Sequence, residues 1–171
     1  KTTLYTDSLN YDRNTELAYY FTGGKVVDPE NTLTSVWGQY STKTDDALFS
    51  NKVKLVNENF VMNSDTLKYN TKTHVADMVG ETHILYDDET DIFTNNGWYN
   101  TNSERSMLLN RSRVINKEGK SIIGDTIFYD KKDKYGESYG KVILNDTVQK
   151  STLYGNYVYY KEETDFGLAT D

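Results

Sequence analysis

The 171-residue chain has no cysteine, one proline and no long apolar run. The lack of cysteine excludes disulfides, thiolate metal sites and cysteine nucleophiles. No stretch approaches the roughly 20 apolar residues that a membrane-spanning helix needs, and no signal peptide is visible. Because the sequence starts at Lys1 without a methionine, we expect it to be a fragment of a longer chain.

Positive charge is also scarce, with 19 Lys and Arg against 26 Asp and Glu and a net charge of −7. This balance argues against a nucleic-acid partner, because phosphate backbones are bound by clustered cations. One local basic stretch admits two interpretations: it meets an anionic group of a ligand, or it is a solvated strand face that guards an edge. It consists of Arg105, Arg111, Arg113, Lys117 and Lys120.

Tyrosine is abundant, with 15 residues, and together with many threonines and valines it favours pleated sheet over helix. The mean hydropathy is −0.74, and the apolar residues are thinly spread and alternate with polar ones. Such alternation is typical of a sheet with one wet face. Since no Pro- or Gly-rich linker divides the sequence, we expect residues 1–171 to form a single domain.

A six-residue sequence motif, called the phrase below, occurs three times, at residues 7–12 (DSLNYD), 65–70 (DTLKYN) and 125–130 (DTIFYD). The copies start 58 and then 60 residues apart (65 − 7 and 125 − 65). A Gly-x-Tyr follows each copy about 30 residues later, at residues 38–40, 97–99 and 155–157. A fixed long period of this kind indicates a repeat architecture.

Each phrase alternates along a strand, so that Leu67 and Tyr69 share one face. A short polar cluster follows each copy, at residues 12–15, 70–73 and 130–133, and such clusters between alternating runs predict hairpins. We therefore expect antiparallel neighbours in a meander. The predicted strands include Ala47 to Leu55, Phe60 to Tyr69, Ser103 to Ile115 and Ser121 to Tyr129.

The leading aspartate of each phrase invites a catalytic or metal-binding interpretation. A residue that recurs in every repeat usually serves the repeat, so we interpret it as a strand-entry residue that bonds a turn backbone. His74 and His83 belong to no catalytic motif. The acidic run at residues 87–91 lacks the glycine pattern of calcium loops and is interpreted as a hairpin tip. We expect no enzymatic activity, metal or cofactor.

The apolar face of the predicted sheet has two possible roles, which the sequence does not separate. If the layers pack fully, the face is an ordinary core. If they splay apart, it becomes an elongated groove that holds acyl chains. The groove-facing candidates from strand parity are Leu9, Tyr11, Val26, Tyr40, Leu67, Tyr69, Ile84, Tyr99, Ile127, Tyr129, Val142 and Leu144, and Tyr157 is assigned to the same face.

One stretch resembles a known family most closely. Residues 119–130 (GKSIIGDTIFYD) and 135–142 (YGESYGKV), repeated more loosely at residues 59–80, resemble the OstA/LptA-like family of periplasmic lipopolysaccharide-transport proteins, also called the organic solvent tolerance family. The Bacteroidetes-type versions are the most similar.

That resemblance implies an all-β, antiparallel, open and twisted β-jelly-roll (β-taco), here with about three repeats of roughly 58–60 residues. It further implies a periplasmic location, a non-enzymatic role and a groove that shields the acyl chains of lipopolysaccharide or a related glycolipid. Domains of this family stack through edge strands into a bridge to the outer membrane, and self-association is a further expectation.

Two other functions remain open at this point. One is a structural or adhesive β-repeat protein at the cell surface, with a closed core. The other is a carbohydrate-active parallel β-helix, in which clustered carboxylates do acid-base work. The hairpin-like turns argue against the parallel form, since parallel coils need no tight returns.

Overall fold

The computed structural model describes residues 2–164 and 166–171, and they form an almost entirely β structure with one 3-10 turn at Glu162–Thr164. The short strands come first: β1 Thr3–Thr6, β2 Asn10–Asp12, β3 Leu17–Tyr20, β4 Gly24–Val27, β5 Thr32–Ser35 and β6 Trp37–Ser41. The long strands follow: β7 Asp46–Val56, β8 Phe60–Asn70, β9 Val75–Tyr86, β10 Thr90–Asn100, β11 Arg105–Asn116, β12 Ser121–Asp130, β13 Tyr135–Asp146 and β14 Ser151–Lys161. The last strand is β15 Phe166–Thr170.

All the strands belong to one sheet, in the order β1-β4-β5-β7-β8-β9-β10-β11-β12-β13-β14-β15. The short strands β2, β3 and β6 extend the sheet beside the first half of β7, while β5 pairs its second half. Every pairing between described strands is antiparallel. The predicted all-β, open antiparallel fold is confirmed, and a parallel β-helix is excluded.

The predicted strands lie within two residues of β7, β8, β11 and β12, and polar turns join them as expected. The last residue of the phrase builds the turn. Asn70 Oδ1 accepts the N–H groups of Lys72 and Thr73 at 3.0 and 2.9 Å, and Asp130 Oδ1 accepts that of Asp133 at 3.0 Å. These side-chain bonds replace backbone partners that the turn lacks.

A β-bulge interrupts every second long strand, β7, β9, β11 and β13, near its middle, and the pairing register with the neighbouring long strands shifts there. In β7 the bulge contains Asn51 and Lys52, and in β11 it contains Asn110 and Arg111, all four with left-handed backbone (φ 58 to 68°). Because bulges bend a strand and increase its twist, a row of them across neighbouring strands bends the whole sheet along one line. We call this line the fold line.

Two of the three leading aspartates, Asp65 and Asp125, lie on the fold line, so their assignment as strand-entry residues was wrong. The third, Asp7, lies outside the strands, between β1 and β2. Asp65 and Asp125 occupy the middle of β8 and β12. Asp65 Oδ2 accepts the N–H of Glu81 at 3.2 Å. The bulge glycines face them, since a Cβ added at Gly80 or Gly140 would lie 2.7 or 2.6 Å from the aspartate oxygen. The aspartates thus pack against the bulge of the neighbouring strand.

The sheet folds over along this line. Val53, Leu67 and Met78 are only 1 to 2% exposed, and in a single sheet only the other half of the same sheet can cover them. Lys131, just beyond the end of β12, places its Nζ 5.8 Å from the centroid of the Tyr86 ring at the opposite end of β9. On a flat sheet, the length of one strand, about 33 Å, would separate them.

The folded sheet is therefore a trough with two rims. The first rim consists of the turns at residues 42–44, 71–74, 101–104 and 131–134, and the second of the turns at residues 87–89, 117–119 and 147–150 with the connection at 57–59. The face between the rims that looks inward is called the interior face.

Candidate functional site

A row of tyrosines crosses the interior face next to the first rim. The strand register places each tyrosine opposite a small residue on the neighbouring strand. In order, the row is Tyr11, Ala18, Tyr40, Ala47, Tyr69, Ala76, Tyr99, Ser106, Tyr129, Gly136, Tyr160 and Gly167. The tyrosines recur every 29 to 31 residues, so each period of 58–60 residues contains two hairpins of about equal length.

The tyrosine hydroxyls reach from the interior face to the turns of the first rim. Tyr40 donates to Asp45 Oδ1 at 3.3 Å, and the Tyr69 hydroxyl lies 3.3 Å from Nδ1 of His74. Burial of the ring raises the pKa of Tyr99. Tyr40 and Tyr69 thus present an apolar ring to the interior and a polar end to the rim, the arrangement that suits a boundary between apolar and wet surroundings.

Two apolar rows lie deeper, one on each side of the fold line. The row nearer the first rim includes Phe49, Leu67, Met78, Leu108, Ile127 and Val158. The row nearer the second rim includes Val26, Leu33, Leu55, Met62, Ile84, Ile92, Val114, Ile122, Leu144 and Leu153. Members of both rows belong to one hydrophobic cluster, so the two halves of the sheet share one apolar interior.

Buried hydroxyl groups mark the fold line itself. Ser64 and Thr82 are 2.7 Å apart at their oxygens, and Ser112 donates to Thr94 Oγ1 at the same distance. Thr82 and Ser112 are 2% and 1% exposed. Serine and threonine are short enough for the two halves to approach closely, and their mutual bonds remove the cost of burying polar atoms.

The register places eleven of the twelve groove candidates on the interior face. Five of them (Tyr11, Tyr40, Tyr69, Tyr99 and Tyr129) belong to the tyrosine row, and Val26, Ile84 and Leu144 lie near the second rim. Leu67, Ile127 and Val142 are buried at 2, 8 and 1% exposure. Leu9 precedes β2, lies outside every strand and is 57% exposed.

The sequence-based list missed several interior residues, among them Leu33, Met62, Met78 and Leu108. These residues could have been found from the sequence by the same alternation of interior and outer positions along each strand that identified their neighbours. The assignment of Tyr157 was wrong, because it pairs with Tyr139 on the outer face. There, burial and a hydrogen bond to Glu137 raise the pKa of Tyr157 to about 12.

Both ends of the trough expose residues of the interior face. Leu4 and Tyr11 are 36% and 54% exposed at the end formed by β1 and β2, and Leu153 and Tyr160 are 49% and 44% exposed at the other. β15 pairs only with the Tyr157–Lys161 part of β14. Among the described strands, only β13 pairs with the part of β14 before Tyr157, which leaves backbone groups at this edge available to another strand.

The three arginines of the basic stretch lie on the outer face, and its two lysines lie between β11 and β12 at the second rim. All five have partners. Arg105 Nε donates to Asp130 Oδ2 at 2.7 Å, and Arg111 lies 3.3 Å from Asp125. Arg113 lies over the Phe93 ring, 5.0 Å from its centroid. Lys117 bonds Glu89, and Lys120 lies 3.3 Å from Glu118. Of its two interpretations, the structure favours the strand face over a cluster that awaits an anion.

Among the residues that the structure describes, no group of three or more histidines, aspartates and glutamates is arranged to hold a metal ion. His83 instead lies 2.7 Å from Asp91 and stacks on Phe93 with ring centroids 4.7 Å apart. None of the described residues forms a helix long and apolar enough to cross a membrane.

Comparison with known families gives a match over the first part of the chain. Residues 1–65 match the family model described as "OstA-like protein". Over these residues the chain is similar to the OstA-like family. The resemblance inferred from the sequence is thereby confirmed, and the stretch at residues 119–142 lies beyond the matched OstA-like segment.

Among solved structures, the chain is similar to LptH from Pseudomonas aeruginosa, described as the LptA-homologous periplasmic component of a lipopolysaccharide transport device. The two chains are 15% identical, and the similarity covers 91% of this chain and 82% of LptH with a TM-score of 0.49. None of the curated proteins matches the chain.

Proposed function

We propose that this chain is a non-enzymatic carrier of lipopolysaccharide or a related glycolipid in the periplasm, and one module of a β-jelly-roll bridge to the outer membrane. The observation that carries this proposal is the continuous apolar interior face, which crosses every long strand and is exposed at both ends. The OstA-like segment supports it.

The interior face has the chemistry that an acyl chain requires. Each methylene group removed from water contributes about 0.8 kcal/mol, and the two apolar rows supply the surroundings for it along the whole trough. The tyrosine row lies between these rows and the first rim. A glycolipid would place its chains on the apolar rows and its polar head outside the rims.

The sheet edges supply the proposed contacts with neighbouring modules. Strand β1 pairs with β4 on one side, and β14 is only partly covered by β15. Such edges accept a strand of another chain through backbone hydrogen bonds. Modules that pair in this way would align their interior faces into one longer trough, either with other jelly-roll proteins or with further copies of this chain.

One observation favours a second function, that of a structural or adhesive surface protein with a closed core. Val53, Leu67 and Val142 are 1 to 2% exposed, so the deepest part of the interior face is filled by the side chains of the protein itself. A carrier must separate the two halves to admit a chain, whereas a structural protein keeps them closed.

Photo-crosslinking in cells distinguishes the two functions. A photoreactive amino acid at Tyr69 or Tyr129 faces the interior, and one at the neighbouring Lys68 or Phe128 faces outward. A carrier gives lipopolysaccharide adducts at the two tyrosine positions and none at the outward controls, detected by mass spectrometry. Adducts that are absent from both interior positions, or equal at all four, contradict the carrier function.

A further inference from the structure

Lys131, Tyr86 and Glu104 form a contact between the two rims of the trough. Lys131 on the first rim reaches Tyr86 on the second, with Nζ 5.8 Å from the ring centroid. The same Nζ lies 3.6 Å from Glu104 Oε1, and the Lys131 N–H donates to the Glu104 carbonyl at 3.1 Å. We call Lys131, Tyr86 and Glu104 the clasp.

The clasp closes the trough over part of the interior face. Tyr86 ends β9 and follows Ile84 of the apolar row near the second rim, while Tyr99 of the tyrosine row lies within electrostatic reach of Lys131. The hydrogen bond to Tyr86 raises the pKa of Lys131, so the ammonium stays charged. Any chain that enters between the rims at this level must separate Lys131 from Tyr86.

We propose that the clasp is the entry gate of the interior face, and that Lys131 binds the anionic headgroup of the amphiphile that opens it. This inference rests on the proposed carrier function. When the rims separate, Lys131 loses its contact with Tyr86. A phosphate or carboxylate headgroup replaces that contact with a charged hydrogen bond, whereas a neutral headgroup replaces it poorly.

The negative net charge of the protein makes a cation at the mouth of the trough important for binding an anionic headgroup. A net charge of −7 repels anions from the molecule as a whole. The basic stretch is engaged with acidic and aromatic neighbours. Lys131 is a cation at the mouth of the trough, and its carboxylate partner Glu104 is 40% exposed, so a headgroup can displace that partner at little cost.

Competition between two single-chain lipids tests headgroup selection. Monopalmitoyl lysophosphatidic acid and monopalmitoylglycerol share a chain and differ in charge, and each should displace a neutral naphthylamine dye from the interior. The protein should prefer the anionic lipid about two- to fivefold, the strength of a partly exposed ion pair. Lys131→Met should reduce that preference to about one and speed dye uptake, because the gate is weakened.

Lys132→Met is the matched control, since Lys132 is the next residue of the same turn, is exposed and carries the same charge. This variant should keep the preference and the uptake rate of the unaltered protein. Inorganic phosphate alone should leave the dye bound, because it brings no acyl chain. Equal preferences in the two lysine variants, or dye release by phosphate, overturn headgroup binding by Lys131.

A crosslink tests the gate directly. Because the sequence has no cysteine, the crosslinker reacts only with the cysteines that are introduced. A bis-maleimide that joins Tyr86→Cys to Lys131→Cys should block dye uptake. The control pair Lys54→Cys and Asn63→Cys joins neighbouring strands on the outer face and should leave uptake unchanged. If the protein crosslinked between positions 86 and 131 takes up dye normally, the clasp is not the entry gate, but the carrier function still stands. If neither lipid nor dye binds the unaltered protein, the carrier function fails as well.

Discussion

Asp130 shows how much a single buried polar residue does in this sheet. Its side chain is 1% exposed and lies at the end of β12. The N–H of Asp133 and, next, the Arg105 guanidinium hold the pKa of Asp130 below its ordinary value of 3.8. The carboxylate therefore fixes both a turn and the neighbouring strand, and it must stay ionised to do so.

Asp130→Asn should make the protein less stable at pH 7 and less sensitive to acid. Because the folded-state pKa is lowered, the stabilisation is complete above about pH 4. It is lost as the pH falls through the folded-state value. Urea unfolding midpoints at pH 7 and pH 3 measure this. The control Asp133→Asn, which leaves the backbone N–H in place, should retain the acid sensitivity, and equal pH dependence in both variants contradicts the assignment.

Among the elements, the long strands were predictable and their bulges were not. Alternation places Ile127 and Tyr129 on one face, and the structure agrees. In the same strand, however, Ile122 and Gly124 share that face, so the interior positions change from even to odd at Asp125. This single-residue phase change in β12 is the trace that the bulges of its neighbours β11 and β13 leave in its sequence. The bulges themselves depend on backbone pairing that one strand does not show.

The buried hydroxyl of Ser112 on the fold line can be tested by mutation. Ser112→Ala removes a hydroxyl that donates to Thr94 Oγ1 and lies 2.9 Å from the Leu109 carbonyl. Leaving these buried acceptors with fewer donors should cost about 1–3 kcal/mol, which lowers the Tm by roughly 2–12 °C. Differential scanning calorimetry measures it.

Ser106→Ala is the control for this change, since it removes the same group from the same strand at a half-buried position beside the tyrosine row. We expect Ser106→Ala to lower the Tm by less than half as much as Ser112→Ala does. If the two serine variants are equally stable, the hydroxyl pairs do not hold the fold line together.

For the whole molecule, the repeat was evident in the sequence, but its unit was not. The phrase marks every second hairpin, because β10 carries Asn95 and Asn96 where β8 and β12 carry the Asp-Thr of the phrase. The tyrosine row shows the shorter unit only when the strands are aligned. The fold-over was also hidden, since the sequence left a packed core and an open groove equally consistent with the same alternation.

A chain with one hairpin fewer should still fold. Deletion of residues 71–100 joins Asn70 to the turn at 101–104, which Asn100 otherwise precedes, and brings Tyr69 opposite Ser106. We expect a monomeric β-protein with cooperative urea unfolding and an m-value lower by about one-sixth, in proportion to the residues lost. Circular dichroism and size-exclusion chromatography check this.

Deletion of residues 71–85 is the matched control, and we expect this variant not to fold. It removes one strand instead of two, so that β8 would be followed by β10 running in the same direction, which a short turn cannot join. This variant should aggregate or remain unfolded. If it folds as well as the longer deletion, the hairpin is not the unit of the structure.

Twelve strands follow one another along the sheet, from β1 to β15. At the usual spacing of about 4.8 Å they span roughly 50 Å, and at the usual rotation of about 20° per strand the last lies roughly 220° from the first. The opening between the rims therefore winds around the molecule like the thread of a screw. Its two ends face different sides, so whatever enters at one end leaves in another direction.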